Sequence, residues 1–399
     1  MRHRSATHVD AVVVGGGIGG LGSALALARA GYAVRVLEQA REFGEVGAGL
    51  QMAPNATRLL RSWDLLDEVI DLGVTPRRLV MRDALDGSEL THLDLAETAR
   101  RYGAPYVLIH RSDLHAALLR GCREAGVDLV TDVAVHDVEV SADCAVAVGA
   151  SAVGDRRRDT GDVVLAADGL GSRLRARLSD DEPVSSAYVA YRGALPLAEL
   201  PDTSGLALDD VVVHVGPGCH FVQYPLRRGE MFNQVAVFRS PKALAGEEDW
   251  GTPDELDAAF AATCDRIKAA LPNLWRNRWW RMYDREPITN WVDGRLALTG
   301  DAAHPMLQYL AQGACQALED AAQLAEQATK ARSADGTDWD RALAAYAEIR
   351  TVRTARVQRT ARQWGDLWHC DGLFRATRNA LLRDRDPGDF RYIDWLYAG

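Results

Sequence analysis

Cysteine is scarce in this chain and carries no recognisable spacing. The 399 residues hold six, at positions 122, 144, 219, 264, 315 and 370. No pair has C-x-x-C spacing and no cysteine–histidine group has the spacing of a zinc site, so neither a dithiol redox motif nor a structural metal is expected. Positive charge is in deficit too, with 46 Lys and Arg against 56 Asp and Glu and a net charge of −10. That balance weighs against nucleic acid and against anionic membrane as partners. Internal repeats and low-complexity tracts are absent. The one long apolar run, Ala11 to Ala28 behind Arg2, His3 and Arg4, superficially looks like a signal peptide or a membrane span. It contains six glycines within eight residues, from which a spanning helix gains nothing. No membrane insertion is expected, and unpaired thiols suit a reducing cytoplasm. An apolar share of 47% is that of a globular chain.

What stands in that run is the organising stretch, AVVVGGGIGG at 11–20. A short buried strand runs into glycines at 15, 17 and 20, and LGSALALARA then reads as a helix. Strand, glycine turn and helix form the first half of a dinucleotide-binding unit. Gly15 allows the tight turn, Gly17 lets the backbone approach a pyrophosphate, and Gly20 lets helix and strand pack closely. The helix N-terminus offers free N–H groups to phosphate oxygens. The next strand, AVRVL at 33–37, ends on Glu38, an acid about 20 residues on that suits a ribose 2′-hydroxyl.

Further along, the pattern predicts a loop over 41–51, a helix opened by Pro54, and helical spacing over 59–71. Short strands with a D-G turn at 86 and 87 follow between 75 and 95. A helix starting at Arg111 with Ser112 as its N-cap comes next, then a strand at 127–130. Residues 133–165 read as a three-stranded meander with a basic turn, DRRRD, at 155–159. Strands are expected again at 187–195, 211–215, 219–226 and 232–238, then a helix over 253–270, a strand at 295–299, and mostly helix from Gly313 to about Arg362. An α/β unit interrupted by a strand-rich excursion places a cleft between two bodies, where ligand sites are favoured.

Two more motifs follow apolar strands: DGLGSRLR at 168–175 and GDAAHP at 300–305. Singly, D-G and G-D turns are ordinary. Together with the glycine fingerprint they place Asp168 and Asp301 at strand ends, where a nucleotide would sit.

Taken together these motifs resemble the class A flavoprotein monooxygenases, aromatic-ring hydroxylases built on one FAD domain and one substrate domain. The stretches CHFVQYPLRRGEMFNQVAVF (219–238), RWWRMYDREPITNWVDGR (278–295) and HPMLQYLAQGACQALEDA (304–321) are similar to those of the 3-hydroxybenzoate 6-hydroxylases within that family. The resemblance implies an α/β fold: a Rossmann-like FAD-binding domain of residues 1–74, 104–182 and 293–362, interrupted by a strand-rich substrate domain of 75–103 and 183–292, with a C-terminal helical region and a tail from 363 to 399. It implies non-covalently bound FAD, NADH as a transient co-substrate with NADPH open, O₂, a small aromatic acid as substrate, and a homodimer. A single dinucleotide fingerprint agrees, because a two-nucleotide disulfide reductase would want a second one and a redox cysteine pair.

Residue by residue, the resemblance puts Arg111 at the FAD phosphates, where a guanidinium is suited, and Gln51 along the ribitol chain. It puts the helix beginning at Gly313 and Ala314 at the pyrimidine edge of the flavin, where a positive helix end stabilises negative charge. Pro305 would hold its loop extended beside the flavin ring. His220 and Gln308 match the active-site histidine and the glutamine facing it; Tyr106 and Tyr224 match pocket tyrosines. The implied reaction is hydroxylation of a phenolic acid para to its hydroxyl, through a flavin C4a-hydroperoxide, with 3-hydroxybenzoate giving 2,5-dihydroxybenzoate (gentisate). A sibling hydroxylase acting on salicylate or a larger phenol keeps every FAD motif, and a non-catalytic flavin-binding regulator is the reading outside enzymes. No single arginine presents itself for the substrate carboxylate; Arg192 and the tyrosines are candidates.

Overall fold

The computed structural model describes residues 8–44, 47–200, 203 and 205–398. Arg2, His3, Arg4 and the middle of the 41–51 loop lie outside them. Two large sheets organise the chain. The first carries the glycine motif. Its path runs Val292–Asp293, Leu296–Leu298, Arg156–Ala166, Val9–Val14, Val34–Leu37, Asp128–Val130. Val9–Val14 lies parallel between Arg156–Ala166 and Val34–Leu37, and Leu296–Leu298 is parallel to the far side of Arg156–Ala166. The ends of three strands are thereby aligned, and from them emerge Gly15, Asp168 and Gly300–Asp301. Helix Ile18–Arg29 is buried on nearly every side because helices Arg111–Glu124 and Gly313–Lys330 pack along it.

Gly15 and Gly20 explain the close packing at this turn. Gly15 sits at φ 107°, and a Cβ there would lie 2.4 Å from the Ala167 carbonyl oxygen. A Cβ on Gly20 would lie 1.9 Å from the carbonyl oxygen of Gly15. Only glycine permits both the dihedral and the approach.

The second sheet has seven strands in the order Trp280–Asp284, Val184–Pro196, Met231–Arg239, Cys219–Leu226, Asp210–Gly216, Arg78–Asp83, Glu89–Asp94. Strand alternation divides its residues between two cores. Tyr191, Cys219, Phe221 and Phe238 face one way, into a cluster closed by Trp250, Phe260 and their neighbours. Arg192, His220, Val222, Tyr224 and Val235 face the other way, toward the first sheet. A one-residue slip in register would exchange the two sets.

Several local expectations need correction. Residues 49–52 are a strand, Gly49–Met52, paired with Val107–His110, and not loop. The helical spacing over 59–71 spans two helices, Pro54–Ser62 and Leu66–Leu72, broken where Asp64 takes a left-handed φ of 59°. His110, not Ser112, caps helix Arg111–Glu124: its Nδ1 accepts from the Ser112 N–H at 3.3 Å, because the strand feeds straight into the helix. Arg156, Arg157 and Arg158 lie on a strand, not in a turn. The helix over 253–270 breaks into Pro253–Phe260 and Asp265–Ala270, where the Cys264 N–H bonds the carbonyl of Ala84, just past strand Arg78–Asp83. Helix Leu95–Tyr102, N-capped by Asp94, was not expected. The last long helix, Trp339–His369, runs past 362.

Candidate active site

A cavity of about 830 Å³ lies between the sheets and reaches from the glycine loop to the inner face of the second sheet. Its first end is lined by Gly15, Gly17, Glu38, Arg111, Asp168 and Asp301. Gly17 caps the first helix without a side-chain hydrogen bond, so the leading N–H groups of that helix keep their donors for a ligand. Glu38 accepts from the Gly16 N–H at 2.7 Å and from the Ala40 N–H at 2.8 Å. A carboxylate has about four acceptor positions, so Glu38 braces the glycine loop and retains capacity for a hydroxyl. Asp168 Oδ2 accepts from the N–H groups of Arg173 and Leu174, while its Oδ1 is buried without a partner. Gly20 and Pro305 lie outside the cavity wall: Gly20 packs beneath the turn, and the Pro305 carbonyl accepts from Gln358 Nε2 at 3.0 Å.

The GDAAHP segment is held by Asp320, on helix Gly313–Lys330. Its Oδ2 accepts from the Gly300 N–H at 2.8 Å and meets His304 Nε2 at 2.6 Å; its Oδ1 accepts from Arg350 Nε at 2.7 Å. All three side chains are buried. Burial raises the Asp320 pKa, but His304 and Arg350 outweigh it and bring it down to about 2. The same helix begins at Gly313 behind Gln312, with no side-chain cap, and Gly313 and Ala314 line the cavity. A second helix N-terminus therefore opens on the same space as the first.

At the other end the sheet presents His220, Tyr224 and Arg192, joined by Tyr106 and Gln308. Val213, Val222 and Val235 make this floor apolar. The Tyr106 hydroxyl donates to Gln51 Oε1 at 2.8 Å, and burial pushes its pKa well up, as it does for Tyr224. Gln308 sits on the short turn Gln308–Leu310, and its Oε1 lies 3.4 Å from an Arg192 guanidinium nitrogen. Arg192 makes no ion pair among the described residues; its guanidinium lies 5.5 Å from the centre of the Trp280 ring, and its Nε has no hydrogen-bond partner. Burial lowers its pKa. Burial likewise holds His220 well below the ordinary histidine range, and His369 adds to the effect.

Sequence reasoning missed the C-terminal contribution. Trp364, Trp368, Ile393, Leu396 and Tyr397 close the cavity, and His369 bonds His220. The i, i+4 spacing of Trp364 and Trp368 was a signal of one helix face; His369 carried none.

The residues fit a dinucleotide. Two uncapped helix ends, the unpartnered Asp168 Oδ1 and a glycine cradle that side chains would fill all lie on one elongated cavity, as an anionic diphosphate and an electron-rich ring system require. Comparison with known proteins agrees. The FAD binding domain family matches residues 8–361. The 3-hydroxybenzoate 6-hydroxylase of Polaromonas naphthalenivorans is 37% identical over 97% of this chain and 95% of its own length. That of Klebsiella oxytoca is 38% identical over 97% and 96%. The 3-amino-4-hydroxybenzoate 2-monooxygenase PtnB3 of Streptomyces platensis is 35% identical over 100% and 98%. Among solved structures, a point variant of Klebsiella pneumoniae HpxO complexed with FAD superposes with a TM-score of 0.83 at 26% identity, covering 98% of this chain and 99% of the other. A salicylate hydroxylase substrate complex gives 0.78 at 25%, covering 98% and 95%. With a family match over most of its length and close relatives along the whole of it, the chain belongs to the class A FAD-dependent aromatic hydroxylases.

Proposed function

We propose that this enzyme hydroxylates a phenolic carboxylic acid para to its hydroxyl, converting 3-hydroxybenzoate to 2,5-dihydroxybenzoate. The observation that carries the reading is Arg192, a half-buried guanidinium with a buried, unpartnered Nε and no carboxylate partner among the described residues, on the same sheet face as His220. A partly desolvated cation whose only polar or ring contacts among the described residues are an amide oxygen and the Trp280 ring gains from a ligand carboxylate. His220 stands opposite Val237 and Arg192 opposite Val235, with one strand between them. Strand spacing and rise put their Cα atoms roughly 12 Å apart. Side chains converging over that span leave room for one substituted benzene ring, carboxylate at Arg192 and hydroxyl at His220.

FAD, bound at the glycine loop and the Gly313 helix end, supplies the electrons from NADH and the activation of O₂. The protein's residues orient the ring and manage a proton. A phenol has a pKa near ~10 and free histidine near ~6.5, so full transfer to His220 beforehand is uphill by about 5 kcal/mol. Burial makes His220 a weaker base still. His220 therefore takes the proton as the ring gives up electron density, not before. Gln308 shares the hydroxyl hydrogen bond, and the valine floor with Trp364 and Trp368 excludes water.

We place NADH ahead of NADPH and the enzyme in the cytoplasm as a homodimer; six free cysteines suit that compartment. The 3-amino-4-hydroxybenzoate relative supports a second reading, a sibling hydroxylase with the same FAD site and another phenolic acid. A panel of hydroxybenzoates, scored for hydroxylated product against hydrogen peroxide released, decides between them. The proposal expects 3-hydroxybenzoate to give the highest product yield; tight coupling only on another acid overturns it.

A further inference from the structure

His220 Nδ1 and His369 Nε2 lie 2.8 Å apart, across 149 residues of chain. Resting on the role proposed above for His220, we infer that His369 is a positioning residue: it holds the His220 ring so that Nε2 is the nitrogen offered to the substrate hydroxyl. With Nδ1 engaged, Nε2 is the ring nitrogen of His220 left for the cavity it lines.

His369 is itself firmly placed. It is the last residue of helix Trp339–His369, and its carbonyl accepts from the Gly218 N–H at 3.0 Å. Its ring stacks on Tyr188 at 4.5 Å between centroids and meets the edge of Tyr309 at 5.4 Å. The planes of the two imidazoles are 21° apart. Tyr309 and Trp368 meet His220 edge-on at 5.5 and 5.0 Å. These ring contacts alone would tolerate a flipped imidazole, since edge-on packing does not distinguish carbon from nitrogen. The hydrogen bond to His369 does distinguish them.

The partner's chemistry matters as well. A general base held by a carboxylate gains basicity. No carboxylate contacts either imidazole among the described residues. Burial, then Arg378 and Arg239, bring the His369 pKa down to about 3, so it is neutral. For His220 to accept on Nε2, its Nδ1 must carry the hydrogen and donate it to His369 Nε2. In that arrangement the neutral His369 accepts at Nε2 and carries its own hydrogen on the buried, unpartnered Nδ1, and it leaves His220 a weak base. This suits a group that takes its proton only during oxygen transfer.

Three variants of the FAD-loaded enzyme test the inference: His369→Phe, which keeps the stacking; His369→Gln, whose amide reaches the Nε2 position; and His369→Asn, whose amide reaches only the Nδ1 position. Product and peroxide are measured with NADH and saturating 3-hydroxybenzoate, together with the Kd for 3-hydroxybenzoate from the flavin absorbance change. The Phe and Asn variants should lose about 10- to 100-fold in the rate of hydroxylation, the scale on which a small misplacement acts, and should bind 3-hydroxybenzoate more weakly. The Gln variant should recover most of both. A Phe variant that couples like wild type overturns the inference, as does rescue by Asn equal to rescue by Gln. If the Phe variant fails to fold, the Gln–Asn contrast decides. Wild-type enzyme that yields no hydroxylated product from 3-hydroxybenzoate contradicts the functional reading instead, so the two failures are separate.

Discussion

Asp320 and His304 meet at 2.6 Å where neither side chain reaches solvent, and this contact shapes the loop between the flavin-binding strand and the substrate end. Asp320→Ala would leave Arg350 and His304 without their shared acceptor. Breaking a buried ion pair from one side costs about 3–5 kcal/mol, so the variant should melt well below wild type and release FAD more readily. The wild-type contribution is pH-dependent. The folded carboxyl titrates at about 2 against an ordinary 3.8, so the stabilisation is complete above about pH 4 and is lost as pH falls through about 2. Thermal melts of both proteins between neutral and acid pH should converge at the acid end.

Glu38 accepts two backbone N–H groups of the glycine loop and its surroundings and faces the cavity. Glu38→Ala should weaken FAD binding by about 1–3 kcal/mol, the cost of leaving buried polar groups unmet, while enzyme reloaded with excess FAD keeps its chemistry. Titration of apoenzyme with FAD checks this; unchanged affinity removes Glu38 from the cofactor site.

The C-terminal segment closes the cavity through Ile393, Leu396 and Tyr397. Three arginines hold it: Arg58 donates to the carbonyls of Tyr397 and Ala398, Arg353 to those of Trp395 and Leu396, and Arg101 pairs with Asp394. Deletion of residues 393–399 should admit water, raise the KM for the phenol and shift NADH oxidation toward peroxide release. A truncated enzyme with wild-type coupling would show that the segment is dispensable.

Much of this was legible in the sequence because the informative signals are local. The glycine turn, the strand ending on Glu38, and the strands before Asp168 and Asp301 each announce themselves within ten residues. The apolar run over 219–226 marked a strand, and the resemblance singled out His220 on it. What escaped has a common physical cause. His369, Tyr397 and Arg350 act through contacts between distant parts of the chain, or through buried ion pairs that leave no period in it. Asp64 and Asp94 were missed for the opposite reason: a single left-handed residue or a one-residue cap changes a helix boundary without disturbing the hydrophobic pattern around it.

No cysteine lines the cavity among the described residues, and the one histidine that does, His220, stands at the substrate end. FAD should therefore leave the protein on denaturation. A yellow supernatant over precipitated chain is the expected result; flavin retained on the unfolded polypeptide would contradict non-covalent binding.

In the mechanism proposed above, His220 serves oxygen transfer and not flavin reduction. In His220→Ala enzyme with 3-hydroxybenzoate at saturation, stopped-flow reduction of FAD by NADH should proceed near the wild-type rate. Hydroxylation should fall by about 10²–10⁴-fold, the usual contribution of a positioned acid–base group, with the electrons from NADH appearing in hydrogen peroxide. Gln308→Ala should uncouple in the same direction and more mildly, because it removes orientation but not the proton acceptor. If His220→Ala still converts NADH oxidation into 2,5-dihydroxybenzoate at wild-type efficiency, His220 is a packed core residue and the account of the site is wrong.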